Sequence, residues 1–433
     1  MHIAVIGTGY VGLVSGACFA EFGNNVICVD SDESKIARIA GGEMPIYEPG
    51  LDALVAKNMR EGRLEFTTDI RGAIEKSLVV MLAVGTPSAN DGSADMSQIE
   101  AVASEIARAL NGYKVIVTKS TVPVGAAGYI KKIIDENKQS NCRYSVASNP
   151  EFLREGAAIN DFMRPDRVVL GCVDEEAVAI MKDLYRPLYL IETPFVITNP
   201  ESAEMIKYAS NAFLATKISF INEIANLCDL LGADVRDVAK GMGMDKRIGA
   251  KFLHPGPGFG GSCFPKDVRA LSALARRAGY QMKLTDAVLE VNRAQTAATI
   301  NRIRRVVPDL EGKTIAVLGL SFKPETDDLR EAPALKMIND LLAAGAKVRA
   351  YDPAAMEPAR RILPDVTYCE DEYDAASGSD ALVVVTEWNQ FRGLNLDKLK
   401  SVMSTLNLVD LRNIYEPEAI RSAGFKYVSM GRL

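Results

Sequence analysis

The sequence predicts an α/β protein in which two doubly wound parallel-sheet modules are joined by a central helical region with a long helix. Three observations predict it. Short apolar runs of β type alternate with helical stretches at both ends of the chain. The strand–turn pattern of the first residues returns near residue 314. Residues 201–231 contain neither Gly nor Pro and read as one helix. The expected segments are 1–200, 201–308 and 309–433, and 433 residues leave room for two or three domains.

Composition narrows the functional class. A hydrophobic content of 48% with 24% charged residues describes an ordinary globular chain. The net charge of −6 argues against a nucleic-acid or membrane-surface partner. No apolar run approaches the roughly 20 residues of a membrane span. Met1-His2-Ile3 reads as the start of a strand rather than a signal peptide. The seven cysteines (Cys18, Cys28, Cys142, Cys172, Cys228, Cys263, Cys369) are dispersed, with no Cys-x-x-Cys. That pattern fits a reducing cytoplasm, without disulfides or metal. Only His2 and His254 are histidines, so proton transfer is expected to fall to Lys, Asp, Glu or water, and a zinc-dependent dehydrogenase lacks its ligands.

The elements follow in order. Residues 2–6 are a strand running into Gly7-Thr8-Gly9-Tyr10-Val11-Gly12, then a helix; the next strand, 25–29, ends at Asp30. Gly-x-Gly-x-x-Gly with two strands and an acid in register is the dinucleotide fingerprint of a Rossmann-like module. Gly7 makes the turn, Gly9 admits a pyrophosphate, and Gly12 lets the helix pack. Asp30 would accept hydrogen bonds from the adenosine ribose and repel a 2′-phosphate, which favours NAD over NADP. Apolar runs at 77–84, 113–118 and 144–148 continue the parallel sheet. Their carboxyl ends carry Thr86, Thr121 and Glu151 to the side where such sheets bind ligands.

The helix over 201–231 ends near Gly232, and a second helical stretch covers 284–306. This middle third is expected to pack against its copy in a homodimer. From Lys313 a second Rossmann-like module begins: residues 314–320 parallel 3–9, and 346–352 parallel 25–30, ending at Asp352. Leu320 and Lys323 stand where the open glycine turn was, so this copy is expected to bind a nucleotide differently or only to pack. Runs at 381–386 and 408–411 add strands.

Between the helices lies Gly258-Phe259-Gly260-Gly261-Ser262-Cys263-Phe264-Pro265-Lys266-Asp267. Pro265 suits a first helical turn, so Cys263 falls at a helix start, where unpaired N–H groups and the dipole favour a thiolate and a developing oxyanion. A nucleophilic cysteine in a dinucleotide-binding chain points to oxidation through a covalent thio intermediate.

Together with that segment, Lys207-Tyr208-Ala209-Ser210-Asn211, Asn149-Pro150-Glu151-Phe152-Leu153-Arg154-Glu155-Gly156 and Phe322-Lys323-Pro324-Glu325-Thr326-Asp327-Asp328-Leu329-Arg330 resemble the UDP-glucose/GDP-mannose dehydrogenase family, in the family's order and along essentially the whole chain. Tyr47-Glu48-Pro49-Gly50-Leu51, the stretch from Lys119 to Gly125 and the stretch from Phe252 to Gly256 look most like its bacterial UDP-glucose-oxidising members. GDP-mannose is the alternative sugar, and a non-catalytic NAD-binding scaffold is the reading from a different class.

The resemblance implies a four-electron oxidation of the sugar's C6 alcohol with two NAD⁺. It makes Cys263 the nucleophile, and it gives Lys207 and Asn211, four apart and hence on one helix face, to the reacting oxygen. It makes Asp267 a base acting through water, and Glu151 with Thr121 the activators of the hydrolytic water. It places Tyr10, Val11, Lys35, Thr86, Thr121, Lys266 and Arg330, beside the glycines and Asp30, on the cofactor. Phe152, Leu153 and Arg154 are expected to line the sugar pocket, and Glu155 to lie where sugar and cofactor meet. Phe252, Leu253, His254, Pro255, Gly256, Gly260 and Lys323 are expected to hold the UDP part. Arg247 is expected to reach a neighbouring subunit's substrate, while for Arg412 a uridine contact and a structural role stay equally open. His254 stands where animal members carry lysine, which leaves a backbone contact as its expected link to the diphosphate.

Overall fold

The computed structural model describes residues 1–432. The chain forms two compact units, 1–210 and 211–433.

The first unit is built on eight strands: β1 (His2–Ile6), β2 (Asn25–Val29), β3 (Leu64–Thr67), β4 (Val79–Leu82), β5 (Lys114–Thr118), β6 (Tyr144–Ser148), β7 (Val168–Gly171) and β8 (Phe195–Thr198). Their order in the sheet is β3-β2-β1-β4-β5-β6-β7-β8. All neighbours are parallel except β6 and β7, which meet antiparallel at Ser148 and Gly171. Both faces of the central strands β1, β4 and β5 are covered, so these read as near-continuous apolar runs, while the edge strands β3 and β8 are partly exposed. The two-residue period divides them: Ile3 and Val5 point into one core, Ala4 and Ile6 into the other.

The strand order reverses beside β1, which puts the first turn and helix α1 (Tyr10–Glu21) at the expected ligand crevice. Packing explains two glycines there. Gly7 has φ 103°, and a Cβ on it would lie 2.7 Å from the Ala83 carbonyl oxygen; one on Gly12 would lie 1.8 Å from the Gly7 oxygen. A Cβ on Gly9 would meet nothing within 4 Å. That glycine is not required by the protein's own packing, and open space at this point is what a pyrophosphate needs.

Helix α2 (Pro200–Leu231) contains the boundary between the units. The second unit continues with α3 (Phe264–Arg277) and α4 (Lys283–Arg304). A six-stranded parallel sheet follows, of β9 (Thr314–Leu318), β10 (Lys347–Tyr351), β11 (Thr367–Tyr368), β12 (Ala381–Val384), β13 (Asn407–Asp410) and β14 (Lys426–Ser429), in the order β11-β10-β9-β12-β13-β14. Ile315 and Val317 enter one core, Ala316 and Leu318 the other. The internal repeat extends to its acid. Asp352 accepts from the amides of Leu320 (2.7 Å) and Ser321 (3.1 Å), as Asp30 accepts from Thr8 (3.0 Å). A hydroxyl also closes on the acid in both copies, Thr8 on Asp30 and Ser321 on Asp352; the second copy differs in being filled, the Trp388 indole N–H reaching an Asp352 that is 1% exposed.

Candidate active site

In the first unit the dinucleotide turn is fastened by Asp30. Its Oδ2 accepts from the Thr8 amide (3.0 Å), the Thr8 hydroxyl (2.7 Å) and the Lys35 ammonium (2.8 Å), and its Oδ1 from the Asp32 amide (3.1 Å). Burial opposes ionisation of Asp30, but Lys35 and the Thr8 and Asp32 donors outweigh it and hold the carboxyl at about 2. The acid is therefore charged at neutral pH, as selection against a 2′-phosphate requires. Lys35, expected near the ribose, is engaged with Asp30 itself.

Beyond β5 and β6 the residues expected to handle water lie on adjacent loops. The Thr86 hydroxyl donates to the Thr121 carbonyl (2.8 Å). Glu204 on α2 accepts from the Gly125 and Ala127 amides (2.7 and 3.0 Å) and from the Ser148 hydroxyl (2.8 Å), which ties the loop after Thr121 to the end of β6. Lys207 and Glu151 form a buried pair. The ammonium donates to Glu151 Oε1 at 2.8 Å and to its backbone oxygen at 2.6 Å, with side chains 4% and 5% exposed. Glu151 Oε2 accepts from the Leu153 amide at 2.6 Å. Burial alone would raise the Glu151 pKa; the Lys207 charge and hydrogen bond, the Leu153 amide and the Lys119 charge overcome it and hold it low.

Lys119 lies deeper. Its ammonium donates to Asn149 Oδ1 and the Tyr185 hydroxyl, both at 3.1 Å, and burial lowers its pKa to about 8. Arg154 chelates Asp161 through Nε and Nη2, so its guanidinium is already committed. The Phe152 ring is flanked by Arg167 and Lys207, at 3.7 and 5.4 Å from its centroid. Glu155 is buried.

In the second unit Cys263 occupies the residue before the first turn of α3, with Pro265 in that turn. It is half-buried, its sulfur 3.4 Å from the Ser262 hydroxyl. The Asp267 amide donates to the Cys263 carbonyl (2.8 Å). The fully buried Asp267 carboxylate takes Lys266 Nζ on Oδ1 (2.7 Å) and Asn211 Nδ2 on Oδ2 (2.6 Å). A carboxylate four residues after a thiolate should oppose it; the Lys266 cation bound to that carboxylate offsets the repulsion. Lys266 and Asn211, expected on the cofactor and the reacting oxygen, thus both hold Asp267.

The bend before Cys263 is clamped by side-chain amides that the sequence reading did not single out. Asn222 Oδ1 accepts from the Gly256 amide and Gln295 donates to the Gly256 carbonyl, both at 2.8 Å. Asn292 accepts from the Phe259 amide (2.8 Å) and donates to the Phe259 carbonyl (3.0 Å). Asn292 and Gln295 are three apart on α4, so a pair of amides on the buried side of an amphipathic helix was the available signal. The Gly261 amide donates to the Arg330 carbonyl (2.8 Å) and the Ser262 amide to Asp328 (3.1 Å). Arg330 chelates Asp328.

A Cβ on Gly260 would lie 2.4 Å from the Glu331 carbonyl oxygen. Around the expected UDP segment, Phe252 has φ 66°, Leu253, Pro255 and Gly256 are buried, and His254 is exposed. The Lys323 ammonium lies 5.6 Å from the Phe322 ring centroid. Arg412 donates to the carbonyls of Val385 (2.7 Å) and Phe322 (3.1 Å) and pairs with Glu387, its guanidinium against Gly256. Arg247 chelates Asp245 on an exposed turn. Among the described residues no cluster of three or more His, Cys, Asp or Glu could hold a metal ion, and no helix is long and apolar enough to cross a membrane.

Three family models match the chain. They are the NAD binding domain (residues 1–189), central domain (201–294) and UDP binding domain (316–417) of the UDP-glucose/GDP-mannose dehydrogenase family. The chain is 52% identical to a UDP-glucose 6-dehydrogenase of Rhizobium meliloti, with all of both chains covered. It is 51% identical to the UDP-glucose 6-dehydrogenase TuaD of Bacillus subtilis, covering 99% of this chain and 93% of that one. Among solved structures, a UDP-glucose dehydrogenase from Pyrobaculum islandicum superposes with a TM-score of 0.92 at 38% identity, covering 100% of this chain and 98% of that one.

Proposed function

The chain belongs to the UDP-glucose/GDP-mannose dehydrogenase family of NAD-dependent oxidoreductases, and on that premise we propose that it oxidises C6 of UDP-glucose to the carboxylate, consuming two NAD⁺ and one water per sugar. One observation carries the four-electron reading: Cys263 stands at the start of α3 in a clamped glycine-rich bend, with the neighbouring Asp267 carboxylate neutralised by Lys266. The choice of sugar follows the full-length relatives rather than any contact of the site.

Bound NAD⁺ supplies the hydride acceptor for both oxidations. The turn at Gly7, Gly9, Tyr10, Val11 and Gly12, with Asp30, has the opening and the charge to hold it. Lys207 supplies positive charge for the alkoxide that develops at O6. Asp267, through water, takes the alcohol proton, and Asn211 orients that carboxylate. The Cys263 thiolate adds to the aldehyde carbon, and the resulting thiohemiacetal has a C–H bond that can be oxidised in turn, leaving a thioester. Water positioned by Glu151 and Thr121 attacks the thioester carbon; the C–S bond breaks, the carboxylate leaves and the thiol is restored. Roles for Thr86, Lys35, Arg330, Glu155 and the UDP-side segments 252–256, 260 and 323 follow the family pattern.

We also propose a cytoplasmic homodimer formed along α2. The dispersed cysteines, with no Cys-x-x-Cys among them, support a reducing setting. Phe213, Phe220 and Leu227, seven apart on α2, are 66%, 45% and 48% exposed and form an apolar stripe with no cover from this chain's second unit. Sedimentation of Phe220→Arg should show a shift from dimer to monomer; an unchanged dimer contradicts the α2 interface. The sugar assignment is tested by NADH formation with UDP-glucose and GDP-mannose in parallel. UDP-glucose is expected to have at least a 100-fold higher kcat/KM, since groups built to pair one base leave buried partners unpaired with the other; faster GDP-mannose turnover would sink it.

A further inference from the structure

The loop before Gly50 carries a buried carboxylate that the chemistry above does not use. Glu48 is 7% exposed and gathers three donors from two distant segments. Its Oε2 accepts from the Tyr10 hydroxyl and from the Gly156 amide at 2.6 Å; its Oε1 accepts from the Ala158 amide at 2.8 Å. The Gly156 amide also reaches the Tyr10 hydroxyl, at 3.1 Å. Tyr10 is the first residue of α1, inside the dinucleotide turn. Gly156 closes the loop that carries Glu151 and Glu155. Burial, then the hydrogen bond and charge of Glu48, push the Tyr10 phenol far above its ordinary pKa, so its proton stays on and it is the donor.

We propose that Glu48 is a positioning residue that ties the dinucleotide turn to the Glu151–Gly156 loop, so that seating the cofactor and setting Glu151 and Glu155 are one event. Two oxygens meeting one hydroxyl and two amides use the acceptor capacity that only a carboxylate has. A glutamine has the same shape, yet its NH₂ must point at one of those donors, which breaks the link without emptying the site. The inference rests on the reading of residues 7–12 as the NAD site.

The experiment uses the full-length enzyme as wild type, Glu48→Gln, Tyr10→Phe and the double variant. It measures the Kd for NAD⁺ without sugar by calorimetry, together with kcat and KM for both substrates. Glu48→Gln is expected to raise the Kd and lower kcat, each about tenfold, because slack of an ångström at a reacting group costs that much or more. Tyr10→Phe keeps both amide bonds and is expected to raise the Kd at least threefold. The double variant is expected to match Glu48→Gln, since both changes cut one link.

Additive effects, or a Glu48→Gln that lowers only the melting temperature while Kd and kcat hold, would overturn the proposal. Should Glu48→Gln not fold, Tyr10→Phe alone decides: an unchanged Kd overturns the link. A wild type that binds no NAD⁺ overturns the reading of the turn itself, which separates that failure from a failure of Glu48.

Discussion

Replacing Cys263 by serine is expected to abolish four-electron turnover while the protein stays folded. The side chain is half-buried at the start of α3 and differs from serine by one atom, so the stability change should stay within about 1 kcal/mol. Chemistry should suffer far more. A serine hydroxyl has no ionisation comparable to a thiol beside a helix start, and an ester would be a poorer acyl carrier than a thioester. Steady-state NADH production should fall by on the order of 10³-fold or more, as loss of a catalytic nucleophile does elsewhere. Any NADH formed would come from the first oxidation, at no more than one per sugar. Undiminished formation of the carboxylate by this variant would refute the covalent route.

Lys207→Met should cost both stability and rate. The Lys207–Glu151 pair is almost wholly buried, so removing the ammonium strands a carboxylate in low dielectric, a loss of about 3–5 kcal/mol where no other cation compensates. Lys119 is near enough to lower the Glu151 pKa, so the low end of that range is expected. The sign of the pH effect follows. With its pKa held down, Glu151 contributes stability that is present above the ordinary carboxylate range and is lost as pH falls through its folded pKa. In the methionine variant the main lowering cause is gone and the folded pKa rises, so acid unfolding should become less steep in this group's contribution, and residual activity should climb with pH as Glu151 ionises. Lys207→Met combined with Glu151→Gln should regain most of the lost stability, because no buried charge is left unpaired, yet lose even the residual activity. Recovery of activity in the double variant would show that neither group takes part in the reaction.

The framework was legible because periodicity and glycine placement are local signals. The dinucleotide turn, Asp30, the helix over 201–231 and the repeat ending at Asp352 all stand where the pattern put them. Strands such as β7 and β8 were not read: Phe195–Thr198 is a partly exposed edge strand without the unbroken burial of the central ones, and Val168–Gly171 pairs antiparallel with β6, against the run of the sheet. Single residues of the site were legible through motif, but their partners were not. No spacing rule pairs Lys207 with Glu151 or Asn211 with Asp267, each 56 positions away, or sets Lys119 between Asn149 and Tyr185. Glu48 sat in plain view within Tyr47-Glu48-Pro49-Gly50, yet a carboxylate in a polar loop looks solvated until the fold brings Tyr10, Gly156 and Ala158 to it.

In the proposed mechanism one chain carries the sugar through two oxidations on Cys263 without releasing the aldehyde. The direct measurement is the number of NADH formed per UDP-glucose consumed, with limiting sugar and excess NAD⁺ and with an aldehyde-trapping hydrazine present. Two NADH per sugar and no trapped aldehyde are expected. One NADH per sugar, with the hydrazone accumulating, would contradict that mechanism.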